Sequence, residues 1–256
     1  MSVLSTHDLT IRFGGHVAVN AVTARFEPGT LTAIVGPNGA GKTTYFNLIS
    51  GQLRASAGRV MLGERDLSAL PPSARTRAGL GRAFQLTNLF PNLTVHENVR
   101  LAVQASRAGT HRHGLNLWSL ATDHADLARR ADELLAQTAL DSKAGAKAAV
   151  LSHGDQRKLE VAILMALDAS IFMFDEPTAG MSADEVPTVL NLIRALKLDK
   201  TKTLLLVEHK MDVVRELADR ILVLVNGTLL ADGEPAAVIA SDAVQEAYLG
   251  RRKAAA

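Results

Sequence analysis

The 256 residues suffice for one large α/β domain, or a main lobe with a subdomain, around a substantial core. Hydrophobic residues reach 47%, yet no apolar run approaches the roughly 18 residues that cross a bilayer, and the start lacks a basic-then-apolar secretory pattern, so a soluble, intracellular chain is expected. Lysine plus arginine (28) nearly balance aspartate plus glutamate (26), which argues against a nucleic-acid partner, and the lack of cysteine excludes disulfides and thiolate metal sites.

Residues 3–35 read as three strands, Leu9–Phe13, Val17–Phe26 and Leu31–Val35, punctuated by Gly14-Gly15 and Pro28-Gly29. Directly after the third comes Gly36-Pro37-Asn38-Gly39-Ala40-Gly41-Lys42-Thr43, a complete G-x-x-x-x-G-K-[ST] phosphate loop. Lys42–Gly51 then reads as a helix with Phe46, Leu48 and Ile49 available to the core. The glycines let successive amides converge on phosphates, and the helix N-terminus adds positive potential. In that setting Lys42 reaches the β/γ-phosphates, Thr43 holds Mg²⁺ through its hydroxyl and Thr44 touches the α-phosphate.

Short strands are expected near Gly58–Leu62 and Gly81–Gln85. From Leu86 to about Ser152 helical patterns dominate. Thr94-x-x-Glu97 is a capping box that opens a helix through Ser106, and Asp123–Leu140 repeats Leu127, Ala131, Leu134, Leu135 and Thr138 at helical spacing. The stretch 109–114 between them reads as loop. Residues 86–160 are expected to form a helical subdomain inserted between 1–85 and 161–256, which make the core lobe. The clusters Arg107–Arg112 and Arg251-Arg252-Lys253 read as a solvated loop and a tail.

The sheet pattern then resumes. Ile171–Phe174 and Thr203–Val207 are continuous apolar runs, as in strands buried on both faces of a parallel sheet. Asp184–Leu198 and Met211–Asp219 supply helices, and Asn226-Gly227 joins Ile221–Val225 to Thr228–Ala231 with the composition of a type I′ turn. Asp175-Glu176 closes the first run and puts two carboxylates at the C-terminal sheet edge, where α/β ligands sit. Read alone, the pair is equally consistent with surface acids that cap the next turn.

Upstream of that strand stands Leu151-Ser152-His153-Gly154-Asp155-Gln156, in which Ser152 is placed to N-cap a helix running through Lys158 and Val161. With the phosphate loop and Asp175-Glu176, this string resembles the signature of the ATP-binding cassette of ABC transporters, and the resemblance covers nearly the whole chain. It implies an α/β P-loop NTPase cassette with an N-terminal antiparallel β region and an inserted helical subdomain. It further implies ATP and Mg²⁺ as ligands, with two cassettes closing on two ATP molecules.

Residue by residue, Gly36, Asn38, Gly39, Ala40 and Gly41 match the phosphate cradle, and Asp175 resembles the acid that holds Mg²⁺ through water. Glu176 resembles the base that polarises the attacking water, Gln85 the glutamine near Mg²⁺ and that water, and His209 the histidine that contacts the γ-phosphate. Phe13 matches the aromatic that stacks on adenine, with Ala18 beside the base, although a lone phenylalanine at a strand end also reads as core. Ser152 and Gly154 match the small residues that face the γ-phosphate held by the other subunit. Leu86, Leu89 and Phe90 line up either with ordinary packing or with a groove for a coupling helix of the membrane subunit. Two departures stand out: His153 and Asp155 replace the usual glycine and glutamine, and Ser182 stands where the family usually carries aspartate. His153 is expected to point away from the phosphate.

Phe13-Gly14-Gly15, Gly81-Arg82-Ala83-Phe84-Gln85, Leu93-Thr94-Val95 and Ala179-Gly180-Met181 are similar to the ATPases of branched-chain amino-acid importers and of the related urea and amide importers. The resemblance implies a second ATPase subunit, identical or related, two transmembrane permeases and a periplasmic binding protein, with this chain peripheral on the inner face of the membrane. Hydrophobic amino-acid uptake is the preferred reading. Urea or short-amide uptake and lipopolysaccharide-type export are alternatives. A non-transport ABC ATPase would bring two fused cassettes or a coiled coil, and a kinase-like enzyme has no reason to carry the Ser152–Gln156 string.

Overall fold

The structure, a computed structural model, describes residues 2–83, 89–108 and 119–249. The chain divides into two compact units, one of Met1–Leu80, Ile171–Glu176 and Lys197–Ala256, the other of Gly81–Ser170 and Pro177–Leu196. The readings on Gln85, Leu86, the loop 109–114 and the tail 251–253 lie outside the described residues.

In the first unit, β1 (Leu4–Phe13) and β2 (His16–Phe26) form an antiparallel sheet with β4 (Ala57–Leu62) and β5 (Arg65–Asp66), in the order β2-β1-β4-β5. A second sheet runs β10-β9-β3-β8-β7, built from β3 (Leu31–Val35), β7 (Ile171–Asp175), β8 (Thr203–Val207), β9 (Arg220–Val225) and β10 (Thr228–Gly233). Strand β6 (Leu80–Ala83) begins at the end of this unit's first segment and passes into the second unit. Every residue of β3, β7 and β8 is buried, as their unbroken apolar runs require.

Alternation along β3 sends side chains to opposite faces. Ile34 joins the core shared with Phe26, Phe46 and Met173, whereas Ala33 and Val35 join Val214, Val238 and Val244. The latter come from α7 (Met211–Leu217), α8 (Pro235–Ala240) and α9 (Asp242–Leu249). Helix α1 (Lys42–Ser50) springs from the end of β3. Helix α2 (Pro72–Arg77) has no counterpart in the sequence reading, although Pro72 at its first position is pre-set for helical φ. Its buried Arg75 donates to the carbonyls of Leu48 and Ile49 at the end of α1, both at 2.7 Å.

The second unit contains α3 (Val95–Ala108), α4 (Ser119–Gln137), α5 (His153–Ala166) and most of α6 (Val186–Leu198). The capping box forms as its composition requires: Thr94 N–H donates to Glu97 Oε2 at 2.7 Å, and Glu97 N–H donates to Thr94 Oγ1 at 3.1 Å. Val99, Leu127, Ala131, Leu134, Leu159 and Ala162 make one apolar cluster. Leu159 and Ala162 flank the boundary expected at 160, so that boundary cuts a continuous helix whose packing belongs to this unit. The helix expected from Asp184 begins at Val186, because residues 182–185 form a turn in which Glu185 N–H donates to Ser182 O. Among the described residues, no helix is long and apolar enough to cross a membrane.

Candidate nucleotide site

Strand register gathers the acidic and basic residues of the first unit. Ile34 pairs with Val207 and Val207 with Asp175, so β3, β8 and β7 end in one row. The next residues along those strands are the phosphate loop, Glu208-His209 and Glu176. This is the carboxyl edge of a parallel sheet, where open α/β folds place their ligands.

The loop is held from behind by its own chain. Gly36 and Gly41 have φ of 153° and 93°, and a Cβ on either would meet backbone, Leu224 O at 2.1 Å and Ala18 O at 2.4 Å respectively. Asn226 and Gly227 both have positive φ, as the type I′ turn demands. Gly227 N–H donates to Ala40 O at 3.0 Å, while its carbonyl accepts from Asn20 N–H at 2.8 Å. The hairpin turn and β2 thus buttress the loop, and Ala18 reaches the site through its carbonyl. No side chain caps the N-terminus of α1. Thr43 and Thr44 sit half-buried in its first turn.

Lys42 is buried, and its ammonium donates to Gly36 O at 2.7 Å and Pro37 O at 3.0 Å. Burial pulls its pKa below the ordinary lysine range, against the opposing pull of the Glu176 and Asp175 carboxylates. A buried ammonium held only by carbonyls suits an anion, while the two acids near it suit a divalent cation accompanying that anion. Glu176 has φ of 51°, a left-handed conformation costly for a side-chain-bearing residue, and its amide donates to Val207 O at 2.9 Å. Its carboxylate lies 3.3 Å from His209 Nε2. The buried Glu208 carboxylate accepts from the amides of His209 and Lys210, which fixes the backbone that carries the histidine. Asp175 is buried at the strand end. The register therefore brings Lys42, Asp175, Glu176 and His209 together. Phe13 is 49% exposed, which sets aside its reading as a core residue.

The string at the head of α5 belongs to the second unit. Ser152 is its N-cap, with Oγ accepting from Asp155 N–H at 3.2 Å. His153 folds back, placing Nε2 3.3 Å from Ala179 O. Asp155 is buried between Lys143 and Lys158. Composition gave no sign of Glu185, yet its carboxylate reaches this helix end: a Cβ on Gly154 would meet Glu185 Oε1 at 2.2 Å. The supports from Leu224, Gly227 and Glu208 also went unread. Asn226-Gly227 announces a turn, but nothing in it says which loop the turn will touch.

A phosphate loop at the edge of a parallel sheet, faced by two acids and a histidine, defines a P-loop nucleotide-binding protein. Residues 19–179 match the ABC transporter family. The chain is 37% identical over 249 residues to the high-affinity branched-chain amino acid transport ATP-binding protein LivG of Escherichia coli K12, spanning 97% of this chain and 98% of that protein. It is 36% identical to BraF of Pseudomonas aeruginosa, which carries the same description, over 97% and 98% of the two chains. A crystal structure of the ADP conformation of an ATP-binding cassette of an ABC transporter superposes with a TM-score of 0.81 at 27% identity, covering 98% of this chain and all of that one. A dimeric cassette in a post-hydrolysis state with ADP and phosphate gives 0.76 at 25% identity, over 91% and 98%. The chain belongs to the ABC transporter family, as a cassette ATPase.

Proposed function

We propose that this chain is the ATP-binding subunit of an importer for branched-chain or other hydrophobic amino acids, working on the inner face of a membrane. The observation that carries the chemistry is the row of strand ends that sets Lys42, Asp175, Glu176 and His209 around one glycine-lined loop. The near full-length likeness to LivG and BraF supports the cargo class.

The amides of the loop from Gly36 to Gly41 cradle the phosphates, Lys42 turns from its carbonyls to the β/γ-phosphates, and Thr44 meets the α-phosphate. Phe13 stacks on adenine, with Ala18 beside it. Mg²⁺ suits the oxygen donors Thr43 and Asp175, since this ion takes one or two protein oxygens beside substrate phosphates, and it would spread the phosphate charge. By resemblance, Gln85 would act on the metal and the attacking water. Glu176 accepts a proton from the water that attacks the γ-phosphorus as the bond to the leaving ADP oxygen breaks, and His209 contacts the γ-phosphate. Ser152 and Gly154 complete the site of a second cassette, so ATP joins the two subunits and hydrolysis releases them. Moving such a closure from about 1:99 to 99:1 takes about 5.5 kcal/mol of differential affinity. Two permeases, and through them a binding protein, receive the motion.

The test is Glu176→Gln in the assembled transporter. ATP binding is expected to persist, closed cassettes to accumulate and turnover to fall by about 10²–10⁴. Near-normal turnover would remove Glu176 from this role. Leucine-loaded binding protein is expected to stimulate the parent ATPase, and stimulation by urea-loaded protein alone would move the cargo to amides.

A further inference from the structure

The carboxylate of Glu185 bridges two pieces of backbone. Oε1 accepts from Ser152 Oγ at 3.3 Å and lies over Gly154, while Oε2 accepts from Ser182 Oγ at 2.9 Å and Ser182 N–H at 3.4 Å. Ser152 caps the 14-residue helix α5 and Gly154 lies in its first turn, where the N-terminal amides and dipole favour an anion. An alanine methyl at position 154 would need the room that Oε1 fills, and the flexible carboxylate would have to move aside. His153 leans on Ala179 O and leaves the approach over Gly154 to the carboxylate.

We propose that Glu185 is an internal stand-in for phosphate at the head of α5, and that the triphosphate brought by a second cassette must displace it. This rests on the sandwich reading above. A second anion brought to this helix end meets the Glu185 carboxylate, and like charges a few ångströms apart repel. As ATP closes the dimer, the carboxylate swings off Ser152 and Gly154 and stays tethered through Ser182. The energy of that displacement sets how much ATP closure requires. In the open cassette the carboxylate keeps Ser152 and the loop at Ser182 in register. Serine at 182 gives it both a hydroxyl and an amide donor, whereas an aspartate there would repel it.

The experiment uses the full chain carrying Glu176→Gln, alone and mixed with the second cassette of the transporter, and measures by light scattering the ATP concentration for half-maximal dimerisation. Adding Glu185→Gln keeps the side chain's size and hydrogen-bonding reach but removes its charge. The required ATP is expected to fall about three- to tenfold, while affinity of the monomer for a fluorescent ATP analogue stays the same. Ser182→Ala, which loosens the carboxylate from a different residue, is expected to shift the midpoint the same way by a smaller factor. An unchanged or raised midpoint in both variants, with monomers folded by circular dichroism, overturns the assignment. If the Glu176→Gln parent fails to dimerise at any ATP concentration in either mixture, the sandwich reading itself falls.

Discussion

The amide of Gly227 donates to the carbonyl of Ala40 across 3.0 Å, so the tip of the β9–β10 hairpin closes onto the phosphate loop from behind. The loop's shape is thereby set by a residue 187 positions further along the chain (227 minus 40). Preorganised amides bind phosphate without first losing conformational freedom, so this support acts on affinity.

Gly227→Ala tests it. The position has φ of 77°, and a Cβ would sit 2.7 Å from Ala18 O, a backbone atom with little room to give. Left-handed backbone costs a side-chain-bearing residue about 1–2 kcal/mol, and the clash adds to that. ATP affinity is expected to fall about tenfold, equivalent to about 1.4 kcal/mol, in titrations with a fluorescent analogue. Asn226→Gly also keeps positive φ accessible and should leave affinity within about twofold of the parent. Equal affinities for the parent and Gly227→Ala would detach the hairpin from the site.

Arg75 offers a test of the first unit's stability. Besides Leu48 O and Ile49 O, it donates to Leu70 O and Ser68 O, each at 3.0 Å, so one guanidinium serves four carbonyls. Burial pulls its pKa down, with Asp66 opposing, but the planar fork stays charged. Arg75→Met keeps the apolar stem and strips the donors from the carbonyls at the end of α1. Unfolding by urea is expected to show a loss of about 2–4 kcal/mol. A loss below about 0.5 kcal/mol would mean that water takes over those carbonyls.

Arg75 also marks where sequence reading stops. The phosphate loop, the buried strands, the Thr94 capping box and the Asn226-Gly227 turn were legible because each rests on local chemistry: positive φ, a reciprocal pair of hydrogen bonds, or unbroken apolar runs. Ser152 was legible as a cap for the same reason. Arg75 lies in Pro72-Ser73-Ala74-Arg75, a polar stretch that resembles any exposed turn until α1 is folded against it. Glu185 and Gly227 act on partners 33 and 187 positions away, and no periodicity encodes such pairings. Residue 160, the expected boundary, falls within α5 (His153–Ala166). Composition changes there, but α5 runs through it, and helices are divided by packing rather than by texture.

At the C-terminal end of α4, Ala139 has φ of 54°. Its N–H donates to Ala136 O and Leu140 N–H donates to Leu135 O, the two bonds of a Schellman motif with alanine where glycine is favoured. Leu135 and Leu140 are both buried and supply the accompanying apolar contact. Ala139→Gly relieves the left-handed strain against a smaller loss of backbone entropy, so the helical unit should gain about 0.5–1 kcal/mol. Slower amide hydrogen exchange along α4 would register that gain. Faster exchange would mean that the entropy term dominates.

Asp155 replaces the family's usual glutamine and gives stability a pH dependence with a definite sign. Its carboxylate is buried in the first turn of α5, where the helix dipole favours negative charge, with Lys158 Nζ on Oδ1 at 3.0 Å and Lys143 on Oδ2. Burial alone would raise its pKa, but the two lysines outweigh burial and hold the carboxyl below the usual aspartate range. An unfolded chain binds the proton near pH 4, so the folded state's advantage is complete above that point and fades as pH falls through the lower folded value. Asp155→Asn should therefore cost about 1–3 kcal/mol at pH 7, from lost charged hydrogen bonds, and less near pH 3. Urea midpoints for parent and variant at both pH values give the difference of differences, which cancels the titration of every other acid. The same penalty at pH 3 as at pH 7 would show that shape at position 155, not charge between Lys143 and Lys158, holds the head of α5.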